Sequence, residues 1–413
     1  MFPWKSQEYY QRNIKLGNST PKKTSTMKII QFGEGNFLRA FVDWMMEKDS
    51  VTIVKPRPGK GLERLLEQQC RYYVCVQGMK EGEVINKIER IESIAGAINP
   101  YEDHAAYLRL AEAEDARFVV SNTTEAGIAF DPACKLQDTP ALSYPGKLTQ
   151  LLYHRWKHFQ GDKDKGLVIL PCELIFHNGT NLQGTIQQYI NHWKLEDAFA
   201  QWIEACCPIY NTLVDRIVSG TPTEEEQPQF ETRIKAAQGA LQGNPICVKA
   251  EPYHLWVIEA PESLRQELPL RNENFNIVLT RDENPYHERK VTLLNAPHTV
   301  MSALGTELGL ETVEDCMKHP TLGPALQQMI HEELIPTLLP LGFSQEELNN
   351  YAASITDRFL NPFLHHRLSS IRLNAISKCK ARLLPPIQRY LDLKGSMPVM
   401  LVKGLMANIN LEQ

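Results

Sequence analysis

Residues 28–32 read KIIQF and run directly into a Gly-x-Gly turn at Gly33 and Gly35. The segment NFLRAFVDWMMEK (36–48) follows, and then VTIV (51–54). In residues 36–48 the apolar side chains fall at 37, 38, 41, 42, 45 and 46, the spacing of one helical face. A strand, a tight glycine turn, a helix and a second strand in that order open a parallel α/β sheet. Glycines at such a turn let the backbone come close to a pyrophosphate and aim a helix N-terminus at it. Gly33, Gly35, Asn36 and Phe37 are therefore candidate cofactor-binding residues. The third glycine of the G-x-G-x-x-G pattern is replaced by Leu38, so a tight turn without a ligand fits this stretch as well. Lys55-Pro-Arg57 stands where an acid ordinarily holds a ribose, and a positive pair there suits a 2′-phosphate. These residues alone leave NAD and NADP both open.

Further strands are expected at 72–76, 118–120, 167–170 and 275–279, with a hairpin arm within 84–94. Helical patterns at 101–113 and 147–158 alternate with them, which implies a mostly parallel sheet. From residue 290 the strand signal almost vanishes. Helices are expected over 312–339 (broken near Pro320), from a capping box at Ser344 and Glu347 to about 360, and over 366–383 and 397–408. The polar, turn-rich RDENPY (281–286) marks the change. The expected architecture is a doubly wound Rossmann-type α/β domain over residues 1–285, followed by an all-helical substrate and catalytic domain over 286–413.

Composition narrows the partners. Across 413 residues, 44 basic against 49 acidic side chains leave a formal net charge of −5, with no basic excess to grip a nucleic acid. Residues 1–26 read as a polar lead-in with one short helix and hold no apolar run suited to a signal peptide. The most apolar stretch, LVILPCELIF (167–176), is half a membrane span and contains Pro171 and Glu173. Nine cysteines, an odd number at irregular spacing, read as reduced thiols, hence the cytoplasm. No clustered metal-ligand spacing is visible. His365 and His366 are adjacent, and neighbours on a helix point about 100° apart, so a shared ion is not expected. The number of subunits is left open.

Lys290, Asn295 and His298 form the second constellation. A lysine in a desolvated pocket can take up an alcohol proton, while an amide and an imidazole steady the oxygen as charge develops on it. A solvated lysine, a capping asparagine and a core histidine would leave the same letters. On an α-helix, positions i, i+5 and i+8 diverge, although Pro297 suggests a bend.

Five motifs then occur in order: FGEGNFLRAFVDWM (32–45), VSNTTEAGI (120–128), LVDRI (213–217), EPYHLWVIE (251–259) and K-x4-N-x2-H (290–298). Together they resemble the polyol-specific long-chain dehydrogenases, the mannitol dehydrogenase family, from about residue 28 to the C-terminus. GEGNFLRAF with NPF (361–363) and SK (377–378) looks most like the members that act on sugar acids. The resemblance implies metal-independent hydride transfer between NAD(H) and a hexuronate or aldonate, in a cleft between the two domains. Lys290 would be the acid/base, with Asn295 and His298 polarising the reacting oxygen. Gly33 and Gly35 would lie under the pyrophosphate, and Asn122, Thr123, Thr124 and Glu125 would line the nicotinamide ribose. Asn178, Asp215 and Lys378 would contact the substrate.

Two positions depart from the polyol members. Cys172-Glu173-Leu174 replaces an Asp-Asn pair, and Ser370 replaces an arginine. Both changes favour a sugar acid over mannitol. Fructuronate, mannitol and mannitol 1-phosphate remain alternative substrates, and a dinucleotide sensor without turnover is the alternative of a different class.

Overall fold

A computed structural model of the chain describes residues 28–124, 126–236 and 245–412; the expected lead-in over 1–26 lies outside the described residues. The chain divides into two compact units. The first comprises Met1–Cys75, Ile88–Ala250 and His254–Glu283. The second comprises Val76–Lys87, Glu251–Tyr253 and Asn284–Gln413. The polar segment 281–286 contains one of these boundaries. The second unit also takes in two inserts from the earlier sequence, which a single cut in a hydropathy pattern would not reveal.

Along the first part of the chain lie β1 (Lys28–Phe32), β2 (Val51–Val54), β3 (Tyr72–Lys80), β4 (Glu83–Ile91), β5 (Ile94–Ile98), β6 (Ala116–Ser121) and β7 (Val168–Pro171). Strands β1, β2, β5, β6 and β7 form a wholly parallel sheet in the order β5-β2-β1-β6-β7. Beyond β7, Ile209 adds a single parallel bridge to Ile169. This is the doubly wound Rossmann order, whose strands are buried on both faces and so read as unbroken apolar runs. One face of the sheet presents Ile30, Phe32, Val119 and Ile169. They bury against Leu148 and Leu151 of helix Tyr144–His158, Leu182 and Ile186 of Asn178–His192, and Phe199 and Trp202 of Asp197–Cys206.

Besides β5, four strands escaped the sequence reading: β8 (Thr212–Asp215), β9 (Val218–Gly220), β10 (Cys247–Ala250) and β11 (Leu255–Ile258). With β12 (Ile277–Leu279) they complete two smaller sheets, ordered β4-β3-β10-β9 and β12-β11-β8. They are three or four residues long, too short for an alternation to register. The expected helix over 36–48 is also corrected. Two one-turn helices, Asn36–Arg39 and Val42–Met45, are separated where Phe41 leaves the helical region at φ −128° and ψ −79°. Residues 40–46 are all buried, so core packing on every side overrides the helical spacing.

The second unit is helical. Helix Ala296–Glu307 runs through its centre, and Val300, Met301 and Leu304 join Leu326, Ile330, Leu348, Ile355 and Leu401 in one apolar core. Helix Val399–Asn410 approaches closely at Gly404, where a Cβ would come within 2.7 Å of a Val300 methyl. Ser344 and Glu347 make the expected capping box for helix Gln345–Phe359. The expected helix over 366–383 is instead Leu368–Arg372 and Ala375–Arg382, parted by Asn374 in the left-handed region (φ 60°). Asn361 of the NPF motif is buried and donates to the Gln77 carbonyl at 3.3 Å, tying down the hairpin insert 76–87. Arg358 and Glu251 form a buried ion pair at 2.9 Å beside it.

Candidate active site

In the first unit, strand order reverses between β1 and β6, and open α/β sheets bind ligands at the carboxyl ends of the strands flanking such a reversal. Gly33 follows β1 there and Asn122 follows β6. Gly33 has φ 132°, and a Cβ on it would lie 2.9 Å from both the Asn122 carbonyl oxygen and a Leu38 methyl. Neither the backbone conformation nor the space admits a side chain. Leu38 thus fills the place of the missing third glycine by packing over the first. Gly35 is exposed, and no atom lies within 4 Å of where its Cβ would stand. Asn36 opens the one-turn helix, while the Phe37 ring stacks on Phe41 at 5.0 Å, so Phe37 serves packing within this unit.

The loop after β6 is organised by a residue that the sequence reading had treated only as a departure. Glu173 is 2% exposed, and its carboxylate accepts hydrogen bonds from Ser121 Oγ (3.0 Å), Thr123 N (3.0 Å) and Thr123 Oγ1 (3.1 Å). Burial raises its pKa while these donors oppose the rise. Asn122 Nδ2 donates to the Cys172 carbonyl. The replacement of the Asp-Asn pair by Cys172-Glu173 therefore supplies the clamp for this loop. Thr124 Oγ1 accepts a 3.3 Å hydrogen bond from Arg57, and Glu125 lies outside the described residues.

Asn178 was expected at the substrate, but it is fully buried. Its Nδ2 donates to the carbonyls of Pro171, Glu173 and Thr212, and its Oδ1 accepts from Gly179 N and Thr212 N. With its amide so engaged, it joins the end of β7 to β8 instead. Asp215 is buried as the last residue of β8, paired in register with Leu255.

A cavity of about 280 Å³ opens at the carboxyl ends of β2 and β5, lined by Gly61, Leu62, Ile98 and Asn99 among others. Its only charged lining residues are Glu63, Glu102 and Asp103. Lys55 is buried at the end of β2 and pairs with Glu34 of the glycine turn at 2.7 Å. The positive pair foreseen after β2 is therefore half engaged within the protein. The glycine turn and this cavity both lie at the carboxyl end of the parallel sheet, where such sheets take their ligands.

In the second unit, Lys290 ends helix Asn284–Lys290. The next five residues, Val291–Asn295, form a π-turn, in which Ala296 N–H donates to the Val291 carbonyl five residues back. Such a turn narrows the angle between residues five apart below the roughly 140° of a regular α-helix, and π-turns recur at functional sites. Lys290 and Asn295 are five apart, and His298 follows one turn later on Ala296–Glu307 with Pro297 in that helix's first turn. Arg389 braces the π-turn, donating to Glu288 at 2.7 Å and to Thr292 Oγ1 at 2.9 Å. The Glu288 carboxyl is held at about 2 by hydrogen bonding to His287 and by Arg389.

His298 is 7% exposed, its ring edge-on to Phe359 (4.7 Å) and His366 (4.8 Å). Nothing in the sequence sets His366 beside His298. Its contact with His298 spans 68 positions of sequence and left no local signal. Lys378 is half-buried and donates to the Ile371 carbonyl at 2.7 Å. Burial and the Lys378 charge lower the His366 pKa.

Comparison with known proteins agrees with this architecture. Residues 27–272 match the mannitol dehydrogenase Rossmann domain, and residues 282–410 match the mannitol dehydrogenase C-terminal domain. The chain belongs to the mannitol dehydrogenase family, and it is a dehydrogenase acting on a CH–OH group. It is 48% identical over 404 residues to an altronate oxidoreductase of Phocaeicola vulgatus, covering 95% of this chain and 82% of that one. An altronate oxidoreductase of Bacillus subtilis is 42% identical, over 91% of this chain and 77% of its own. The solved Pseudomonas fluorescens mannitol 2-dehydrogenase, a ternary complex with NAD and D-mannitol, superposes with a TM-score of 0.68. It is 20% identical and covers 93% of this chain and 78% of that one, a likeness of fold.

Proposed function

We propose that this protein interconverts D-tagaturonate and D-altronate with NAD(H), without a metal, using Lys290 as the acid/base. What supports the reading is the π-turn over Val291–Asn295, which begins directly after Lys290 and ends on Asn295, in a chain 48% identical to an altronate oxidoreductase. The dinucleotide, when bound, supplies the hydride for ketone reduction and accepts it in alcohol oxidation. In reduction, the Lys290 ammonium gives its proton to the carbonyl oxygen as the alcohol forms. In oxidation, the neutral amine takes that proton back. The Asn295 amide and the His298 imidazole donate hydrogen bonds to the oxygen as charge builds on it. Phe359 and His366 flank the His298 ring and restrict its orientation.

Asn122, Thr123 and Thr124, held by Glu173, would line the ribose next to the nicotinamide. Asp215 and Lys378 would meet the hydroxyl and carboxylate groups of the substrate. NAD is preferred to NADP because Glu63, Glu102 and Asp103 line the cavity, and carboxylates repel a 2′-phosphate. All nine cysteines are free thiols, and no helix among the described residues is long and apolar enough to cross a membrane. We assign the protein to the cytoplasm.

The test is a spectrophotometric assay with NADH and NADPH against tagaturonate, fructuronate and fructose. Oxidation of NADH fastest with tagaturonate is expected. Faster turnover of fructuronate or fructose would displace the substrate, and binding of NADH without any turnover would leave a sensor.

A further inference from the structure

Lys378 and Arg382 lie four residues apart on helix Ala375–Arg382, so their side chains emerge from the same face one turn apart. Both are half-buried. Two like charges at that spacing disfavour the helix, and partial burial adds a desolvation cost to each. Among the described residues, no carboxylate pairs with Lys378 or Arg382. By contrast, Arg372, a little earlier in the chain, is paired with Glu412 at 3.1 Å. Attraction to the helix C-terminus accounts for Arg382 at the last position, but not for Lys378 one turn earlier, whose ammonium turns back to the Ile371 carbonyl. Lys378 acts on His366, whose ring meets His298 of the trio at 4.8 Å. Lys378 is thus linked through His366 to the trio, and among the described residues neither it nor Arg382 has a carboxylate bonded to it.

We propose that Lys378 and Arg382, with His366 between them and His298, form a subsite that binds the carboxylate of the sugar acid and sets the enzyme's preference for acids over neutral sugars. The proposal rests on the sugar-acid reading above and adds Arg382 and His366 to it. The guanidinium offers a planar fork that matches a carboxylate, and the lysine adds a point charge on its second oxygen. The reacting carbonyl, several carbons from that carboxylate, would then fall to the trio. The mutual repulsion of the two cations, and that of Lys378 with His366, is relieved when the anion binds. The shifts support this arrangement: desolvation followed by the Arg382 charge lowers the Lys378 pKa, and burial lowers that of Arg382.

The test compares kcat/KM for tagaturonate with that for fructose, a neutral ketose, in the full-length enzyme with NADH. Wild type comes first: if it shows no preference for the acid, the sugar-acid reading itself falls. With the preference present, Arg382→Met and Lys378→Met should each reduce the acid-to-neutral ratio by about ten-fold or more, the scale of a hydrogen bond to a charged group. The loss should appear chiefly as a higher KM for tagaturonate, and Arg382→Lys should recover part of it. NADH affinity and thermal melting are measured alongside, so that a folding defect in one variant is recognised and the other decides. An acid-to-neutral ratio that stays at the wild-type value in a folded Arg382→Met or Lys378→Met enzyme overturns the subsite and leaves the proposed reaction standing.

Discussion

The imidazole of His366 lies edge-on to that of His298, with ring centroids 4.8 Å apart and planes inclined at 67°. Burial first, and then the Lys378 charge, lowers the His366 pKa from its ordinary 6.5. A histidine depressed in this way stays neutral as pH falls past 6.5, and protonation at lower pH costs stability. Removing the positive neighbour in Lys378→Met should raise the His366 pKa toward its ordinary value. Titration of the imidazole C–H resonances by NMR reads this directly, and an unmoved midpoint would mean that the lysine charge does not reach the ring.

Lys290→Ala should lower kcat for tagaturonate reduction by about 10²-fold or more, the usual weight of a positioned acid/base group. NADH affinity, measured by fluorescence titration, should remain close to wild type. Near-normal turnover in this variant would take the proton-transfer role away from Lys290.

Glu173→Gln replaces a carboxylate that accepts three hydrogen bonds with an amide whose NH2 faces one of the donors. The unmet partners should cost about 1–3 kcal/mol and loosen residues 121–123. We expect a lower midpoint in urea and a higher KM for NADH, with KM for tagaturonate less affected. A variant as stable as wild type would show that the clamp carries little of the loop's order.

Asp43 is 1% exposed and accepts a 2.9 Å hydrogen bond from Tyr72 Oη. Burial raises its pKa from 3.8 to about 7, against hydrogen bonds from Tyr72 and Gln31 and the charge of Arg39. The folded state therefore holds this proton after the unfolded chain has lost it. Stability contributed by Asp43 is complete below pH 3.8 and declines as pH rises toward 7, at most by ~1.4 kcal/mol per pH unit. Asp43→Asn should flatten that slope in urea unfolding measured from pH 4 to 8. A slope equal to wild type would show that Asp43 titrates normally.

Much of the architecture was visible along the chain. KIIQF, the glycine pair and VTIV announced β1, the turn and β2, because a buried parallel strand is a short apolar run and Gly33 occupies a conformation that only glycine tolerates well. The Ser344 capping box was equally legible, since a cap is a contact across three residues. Local chemistry also pointed to Lys290, Asn295 and His298 as residue types suited to carbonyl reduction.

Tertiary structure decided what depends on distant partners. On a regular α-helix, Lys290 and Asn295 diverge, and the π-turn braced by Arg389, almost a hundred residues later, changes that angle. Asn178 was an amide suited to a substrate until burial showed it spent on backbone groups from three segments. Glu173 passed as a departure from a motif until its three donors were in place, and His366 acquired a role only when folding set it against His298. The glycine turn that dominates the sequence is local, and so it could be read alone. The site's proton chemistry and its charge depend on burial and on contacts between remote segments, which a string of residues does not display.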